Sequence, residues 1–142
     1  MTPQPRQVAD SSVVVKWYVP EIGSEEAAAL LVCGAELLAP DLLTAEFDNV
    51  LWKKVQRGEL SDQEAQEILG LFVEHPPVTL VASIDYVRPA LELALTFGRT
   101  LYDSLYLALA LAENTRLITA DARFVNALAG TPLETSIKLL GS

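Results

Sequence analysis

The sequence contains one cysteine, Cys33, and one histidine, His75. A single thiol excludes an intramolecular disulfide framework and fits a reducing, intracellular compartment. One His and one Cys also exclude a zinc finger and a histidine-rich metal site. His75 stands directly before Pro76-Pro77, in an expected loop, where it is a poor partner for a serine or cysteine nucleophile. Basic residues are scarce: 10 Lys and Arg against 19 Asp and Glu, a formal net charge of -9. That balance argues against gripping nucleic acid through bulk positive charge. It leaves open contact with phosphate through bound cations. Long apolar runs are missing too. The longest, 105–112, has eight residues, whereas a membrane-spanning helix needs about 20. Residues 1–9 are polar and hold two prolines, without the apolar stretch of an export signal. The expectation is a cytoplasmic protein with no membrane partner, whose chemistry comes from carboxylates, hydroxyls, lysines or arginines.

What is present is a globular composition. The chain has 142 residues, 51% hydrophobic and 20% charged, the size of one ordinary domain with a core of its own. Val8-Ala9 reads as a short buried strand ending at Asp10, followed by a turn or helical piece to Trp17. Further strands are expected over 36–39, 78–82, 116–119 and 134–139. Helices are expected over 24–32, 41–57, 61–73, 84–97, 103–114 and 121–128. Ser61 with Glu64 forms a capping box, and Asp41 is read as the cap of its helix. The segment 103–114 is apolar on every side, and a helix without a polar face is a buried one. Strands alternating with helices indicate an α/β fold with a central, mostly parallel sheet.

In open α/β sheets, sites form outside the carboxyl ends of the strands. Asp10 ends the first strand, Asp121 lies two residues beyond Leu117-Ile118-Thr119, and Asp103 opens the buried helix before it. On the 41–57 helix, Leu43, Phe47, Val50 and Leu51 form the apolar stripe at about 100° per residue. Glu46 lies on the edge of that stripe and Asp48 on the far side. Taken singly, Asp10, Asp103 and Asp121 also suit helix N-caps, and Glu46 a solvated helix face. Gathered together, they would repel one another unless a positive charge held them. A hard divalent cation with oxygen ligands, Mg²⁺ or Mn²⁺, is the usual solution, and an acid-only cluster points to phosphodiester or phosphoryl chemistry.

The same residues carry a resemblance. Residues 8–17, VADSSVVVKW, are similar to the opening motif of PIN-domain nucleases, especially the VapC-type ribonuclease toxins. Residues 39–46, APDLLTAE, resemble their second motif, whose final Glu is an active-site acid. Residues 101–110, LYDSLYLALA, resemble the third, and 117–124, LITADARF, the fourth. Each motif alone is weak, but the four stand in the family's order and spacing over nearly the whole chain. The resemblance implies a single PIN-like domain over 1–142, with three α/β/α layers. It implies an acidic pocket for Mg²⁺ or Mn²⁺ built from Asp10, Glu46, Asp103 and Asp121. Ser12 and Thr119 match the family's hydroxyl positions, which help orient acids or water. It further implies cleavage of RNA by a metal-activated water, in a toxin inhibited by a cognate antitoxin, commonly a homodimer.

Two features depart from the pattern. Arg6 and Gln7 stand where an apolar strand start is expected, and Arg123 follows Asp121 where some relatives carry a further acid. RNA would need a local basic patch on so acidic a chain. Lys16, Lys53, Arg57, Arg99 and Arg123 are its candidates, each of which also suits a solvated surface, while Tyr102 and Trp17 suit stacking on bases or, more readily, buried packing. Apolar residues near Trp17, Trp52 and Phe72 are candidates for a dimer or antitoxin surface. The alternative reading is a non-catalytic PIN-fold binding module, against which the presence of all four acids speaks. A haloacid-dehalogenase-type phosphatase would want Asp at position 12, which is Ser. A receiver domain would want an acidic pair where Arg6-Gln7 stands.

Overall fold

Five strands form one sheet in the order β3-β2-β1-β4-β5. They are β1 (Arg6–Ala9), β2 (Glu36–Pro40), β3 (Thr79–Val81), β4 (Leu117–Thr119) and β5 (Ile137–Leu139). The structure is a computed structural model that describes residues 5–142. Residues 1–4, part of the polar N-terminal stretch and of the domain expected over 1–142, lie outside the described residues. All four strand pairings are parallel, so each connection must cross over, and the helices between strands do this. Val8 and Ala9 are adjacent in β1, point to opposite faces, and are both fully buried, as are Leu117 and Ile118 to within 3%. Helices therefore cover both faces, which is the expected three-layer α/β/α arrangement. Arg6 needs no apolar environment, because it sits at the open start of β1. Its guanidinium pairs with Glu36 at 3.1 Å and with Glu113 at 2.8 Å.

The helices are α1 (Ser11–Val14), α2 (Ser24–Val32), α3 (Leu42–Gln56), α4 (Asp62–Glu74), α5 (Val87–Phe97), α6 (Leu101–Ala112) and α7 (Ala122–Leu128). Their boundaries correct the expectations at several ends. The stretch expected as one helix over 84–97 begins as a 3-10 turn, Ser83–Tyr86, before α5. The last strand is limited to Ile137–Leu139, because Glu134–Ser136 forms a 3-10 turn. Helix α6 starts two residues before Asp103: Thr100 is its cap, with Oγ1 accepting from the Asp103 N–H at 3.1 Å. Asp103 thus lies inside the first turn, where its charge suits the helix dipole. Asp41 does not cap α3 with its own side chain. Its carboxylate accepts from Ser83 N–H at 3.1 Å, while Ser83 Oγ accepts from Leu42 N–H at 3.1 Å. A hydroxyl from a distant turn therefore does the capping.

Helix α3 carries Glu46 and is fixed by an aromatic cluster. Leu43, Phe47 and Leu51 are buried, as the stripe required. Phe47 stacks on Phe72 of α4 with centroids 4.5 Å apart, and Tyr18 meets Phe47 edge-on at 5.2 Å. Phe72 is therefore core, not surface, although its neighbours Leu71 and Val73 are exposed. The capping box of Ser61 and Glu64 opens α4 as expected. Residues 104–110 of α6 are all buried, as an all-apolar helix demands. No helix among the described residues is long and apolar enough to cross a membrane.

Candidate active site

The strand order reverses direction between β1 and β4, because β1 leads outward to β2 and β3 while β4 leads outward to β5. The ends of two neighbouring parallel strands there feed helices on diverging paths and leave a crevice. Asp10 leaves β1 at that crevice, and Thr119 and Asp121 leave β4. The register pairs Ala9 with Ile118, and Asp10 N–H donates to Ile118 O at 3.4 Å.

Asp10 is 8% exposed, and Thr119 is fully buried. A chain of hydroxyls joins them. Ser12 Oγ donates to Asp10 Oδ1 at 2.5 Å and lies 3.3 Å from Thr119 Oγ1. It also accepts from Ala120 N–H at 2.9 Å, and Thr119 Oγ1 accepts from Asp121 N–H at 3.2 Å. With Asp10 ionised, Ser12 has spent its one proton on that carboxylate. The Thr119 hydroxyl faces both Ser12 Oγ and the Asp10 carboxylate with its own single proton. The backbone of β4 and the side chain of Asp10 are thus locked through Ser12. Burial raises the Asp10 carboxyl from 3.8 to about 6, with repulsion from Glu46 adding to it and the Ser12 and Thr119 hydrogen bonds opposing it.

Glu46 and Asp103 complete an acidic triangle. Glu46 is half-buried, and its Oε1 accepts from Tyr106 Oη at 2.5 Å. Burial raises its carboxyl, the Tyr106 hydrogen bond counters this, and the charge of Asp103 raises it further. The Tyr106 hydroxyl is itself pushed up, first by burial and then by the negative charges of Glu46, Asp10 and Asp103. One phenol therefore feels all three acids. Arg99 Nη2 donates to Asp103 Oδ2 at 2.8 Å, and its guanidinium carbon lies 4.7 Å from the centroid of the Phe124 ring. Arg99 thus serves Asp103 directly. Trp17 is also engaged within the protein, with Nε1 donating to Ala27 O at 2.7 Å, while Tyr102 is exposed.

Asp121 stands apart from the triangle. It is exposed, and its Oδ1 caps α7 by accepting from Arg123 N–H at 3.0 Å and Phe124 N–H at 3.4 Å. The cap interpretation, weighed for each acid, holds for Asp121 and for Asp10 on α1. Among the described residues, no group of three or more His, Cys, Asp or Glu side chains already stands at metal-holding distance. The donor chemistry nevertheless suits a hard cation, since every candidate ligand is a carboxylate oxygen. Sequence reasoning missed Tyr106 as a site residue. Its spacing was available, because Asp103 and Tyr106 are three apart on α6 and share a face.

A family model, the PIN domain, matches residues 8–128. Ribonuclease VapC3 of Pyrobaculum aerophilum is 37% identical over 115 residues, covering 80% of this chain and 88% of that protein. Two solved structures share the fold. Mycobacterium tuberculosis VapC20, described as a sarcin-ricin loop cleaving toxin, superposes with a TM-score of 0.65 at 12% identity, covering 85% of this chain and 94% of its own. A toxin–antitoxin complex from Klebsiella pneumoniae gives a TM-score of 0.61 at 16% identity, covering 93% and 95%. The chain belongs to the PIN domain family, and its identity to VapC3 sets it among the VapC ribonucleases.

Proposed function

We propose that this protein is a divalent-metal-dependent endoribonuclease, the toxin of a type II toxin–antitoxin pair, with Asp10, Glu46, Asp103 and Asp121 as its active-site acids. The observation that carries this reading is the acidic triangle at the switch point, formed by buried Asp10 with the partly buried Glu46 and Asp103. The charge of Glu46 adds to the raised carboxyl of Asp10, and the charge of Asp103 to that of Glu46, and a bound cation would relieve that repulsion. The observed hydrogen bonds engage Asp10 Oδ1, Glu46 Oε1 and Asp103 Oδ2, one oxygen of each carboxylate. Asp10, Glu46 and Asp103 would hold Mg²⁺ or Mn²⁺. Asp121 would join by turning from its capping role. Bound there, the metal supplies a water of lowered pKa and neutralises charge on the phosphate.

The chain's own residues prepare the site. Ser12 fixes Asp10, Tyr106 fixes Glu46, and Arg99 fixes Asp103, each through one hydrogen bond. Thr119 holds Ser12 in register with β4. The named activity of VapC3 and of VapC20 supports RNA as substrate. The Klebsiella pneumoniae complex supports a cognate antitoxin as partner. A cytoplasmic location and a homodimer complete this reading.

The test is incubation of purified protein with a mixed single-stranded RNA pool and Mg²⁺, Mn²⁺ or EDTA, beside Asp103→Asn. The reading expects metal-dependent cutting that the variant lacks. The competing reading, a binding module without chemistry, draws on the capping role of Asp121. It expects no cutting and no Mn²⁺ binding by folded protein, and that pair of results would overturn the proposal.

A further inference from the structure

The chain has ten basic residues, and four of them line one open cleft of about 490 Å³. These are Lys16, just after α1, and Lys53, Lys54 and Arg57 at the carboxyl end of α3. Ser12, Ala120 and Asp121 also line it, and Ser12, hydrogen-bonded to Asp10 and to Ala120, joins the cleft to the acidic crevice. Glu21 is the remaining charged lining residue. Four cations against the carboxylates of Glu21 and Asp121, and of Glu59, which pairs with Lys54 at 3.4 Å, leave the cleft positive by one charge on a chain whose net charge is -9.

The four cations divide into two pairs. Lys16 Nζ donates to Glu21 Oε1 at 2.9 Å, and Lys54 Nζ donates to Glu21 Oε2 at 3.1 Å. Burial disfavours the Glu21 carboxylate, but the two lysines overcome this and hold its carboxyl below the usual range. Glu21 is thus a bridge that ties the segment after α1 to α3 and sets the width of the cleft. Lys53 and Arg57 are exposed and, among the described residues, enter no ion pair. They lie four apart, one turn of α3, on one side of the helix.

We infer that this cleft is the track for the substrate's sugar–phosphate backbone. Lys53 and Arg57 contact successive phosphates next to the cleavage site, and Glu21 holds Lys16 and Lys54 as the fixed wall. The inference rests on the ribonuclease reading and deepens it. It explains how an acidic protein binds a polyanion: attraction is confined to the groove that leads into the acids. The ligand class is single-stranded RNA held by its phosphates, so the track itself contributes affinity and orientation with little base preference.

The test is fluorescence anisotropy with a fluorescein-labelled, mixed-sequence single-stranded RNA and wild-type protein in EDTA, repeated over a salt series. Lys53→Gln/Arg57→Gln is compared with Arg88→Gln/Arg116→Gln, an equal charge change at exposed positions outside the cleft. Melting curves confirm that both variants fold. Each phosphate contact on a single strand contributes about -0.7 to the slope of log K against log salt. The cleft variant is expected to bind about tenfold more weakly, with its slope smaller in magnitude by about 1.4. The control variant should keep both values. Equal losses in the two variants, or a weaker cleft variant with an unchanged slope, would overturn the track. The two readings fail separately. Cleavage with an unchanged KM in the cleft variant removes the track and leaves the nuclease. Cleft-dependent binding without any metal-dependent cutting removes the nuclease and leaves the track.

Discussion

Tyr106 of α6 donates its hydroxyl to Glu46 of α3 across 60 positions of sequence, at 2.5 Å. This bond joins the two helices that bring acids to the crevice from outside the strand ends. Tyr106 is 2% exposed, so its phenol has no water to turn to, and Glu46 is its fixed acceptor. The same hydroxyl lies within electrostatic reach of Asp10 and Asp103, which makes it the centre of the acidic triangle.

Tyr106→Phe removes that donor and leaves the ring packing. The Tyr106 hydrogen bond lowers the Glu46 carboxyl against burial and the charge of Asp103, so its loss pushes Glu46 higher. A catalytic carboxylate that holds its proton to higher pH moves the acid limb of the activity profile upward. We expect that upward shift in a pH–rate profile, with about 1 kcal/mol lost in chemical denaturation. An unmoved acid limb would mean that Glu46 does not act in its ionised form.

Stability should depend on pH through Asp10. Its carboxyl stands at about 6 in the fold against an ordinary 3.8. Between these values the folded protein keeps a proton that the unfolded chain has released, so stability falls as pH rises through that window. Glu46 is raised as well and acts in the same direction. Glu21 and Asp41 are lowered, so their contribution is intact above their ordinary values and fades only in stronger acid. Metal-free protein should melt at a higher temperature near pH 5 than near pH 8. Asp10→Asn should flatten that difference and raise Tm at the alkaline end. Thermal melts across pH, in EDTA, decide this.

Divalent cation should reverse the same penalty. Mn²⁺ or Mg²⁺ that binds the folded protein and not the unfolded chain stabilises it by about 2.7 kcal/mol at a hundredfold excess over Kd, and Tm rises with concentration. We expect the shift in wild-type protein, its loss in Asp10→Asn and Asp103→Asn, and its removal by EDTA. Differential scanning fluorimetry with each ion is sufficient. A shift of equal size in both variants would place the cation elsewhere.

Ser83→Ala removes the hydroxyl that caps α3 and keeps the Ser83 N–H that donates to Asp41. Loss of a helix cap costs about 1 kcal/mol, which should appear as a lower denaturation midpoint with an unchanged m-value. Activity should fall less than stability, because α3 is also held by Phe47 against Phe72 and Tyr18. Asp41→Asn, which keeps an acceptor for Ser83 N–H, should be the milder change.

Much of the fold was readable because local patterns did not conflict. The Leu43–Phe47–Leu51 stripe, the capping box of Ser61 and Glu64, and the apolar run within 103–114 each gave their helix. Element ends were less readable. The cap of α3 comes from Ser83, 41 positions ahead of Leu42, and no local pattern announces a partner so far away. Apolar residues near Phe72 were expected at a surface, and Leu71 and Val73 are exposed while Phe72 itself is buried. Which of the apolar residues of α4 faces inward depended on where Phe47 and Tyr18 would be.

The sequence by itself determined the composition of the site: an oxygen-only set of acids on strand ends and helix starts, with hydroxyls at Ser12 and Thr119. Side-chain chemistry and periodicity are local properties, and they can be read along a chain. The tertiary structure decided which groups meet. It placed β1 beside β4, drew Asp10, Glu46 and Asp103 around Tyr106, tied Arg99 to Asp103, and left Asp121 capping α7. It also gathered Lys16, Lys53, Lys54 and Arg57 around one cleft. Those outcomes depend on strand order and helix packing, which arise from burying both faces of the sheet at once, and no single stretch of the chain contains that information.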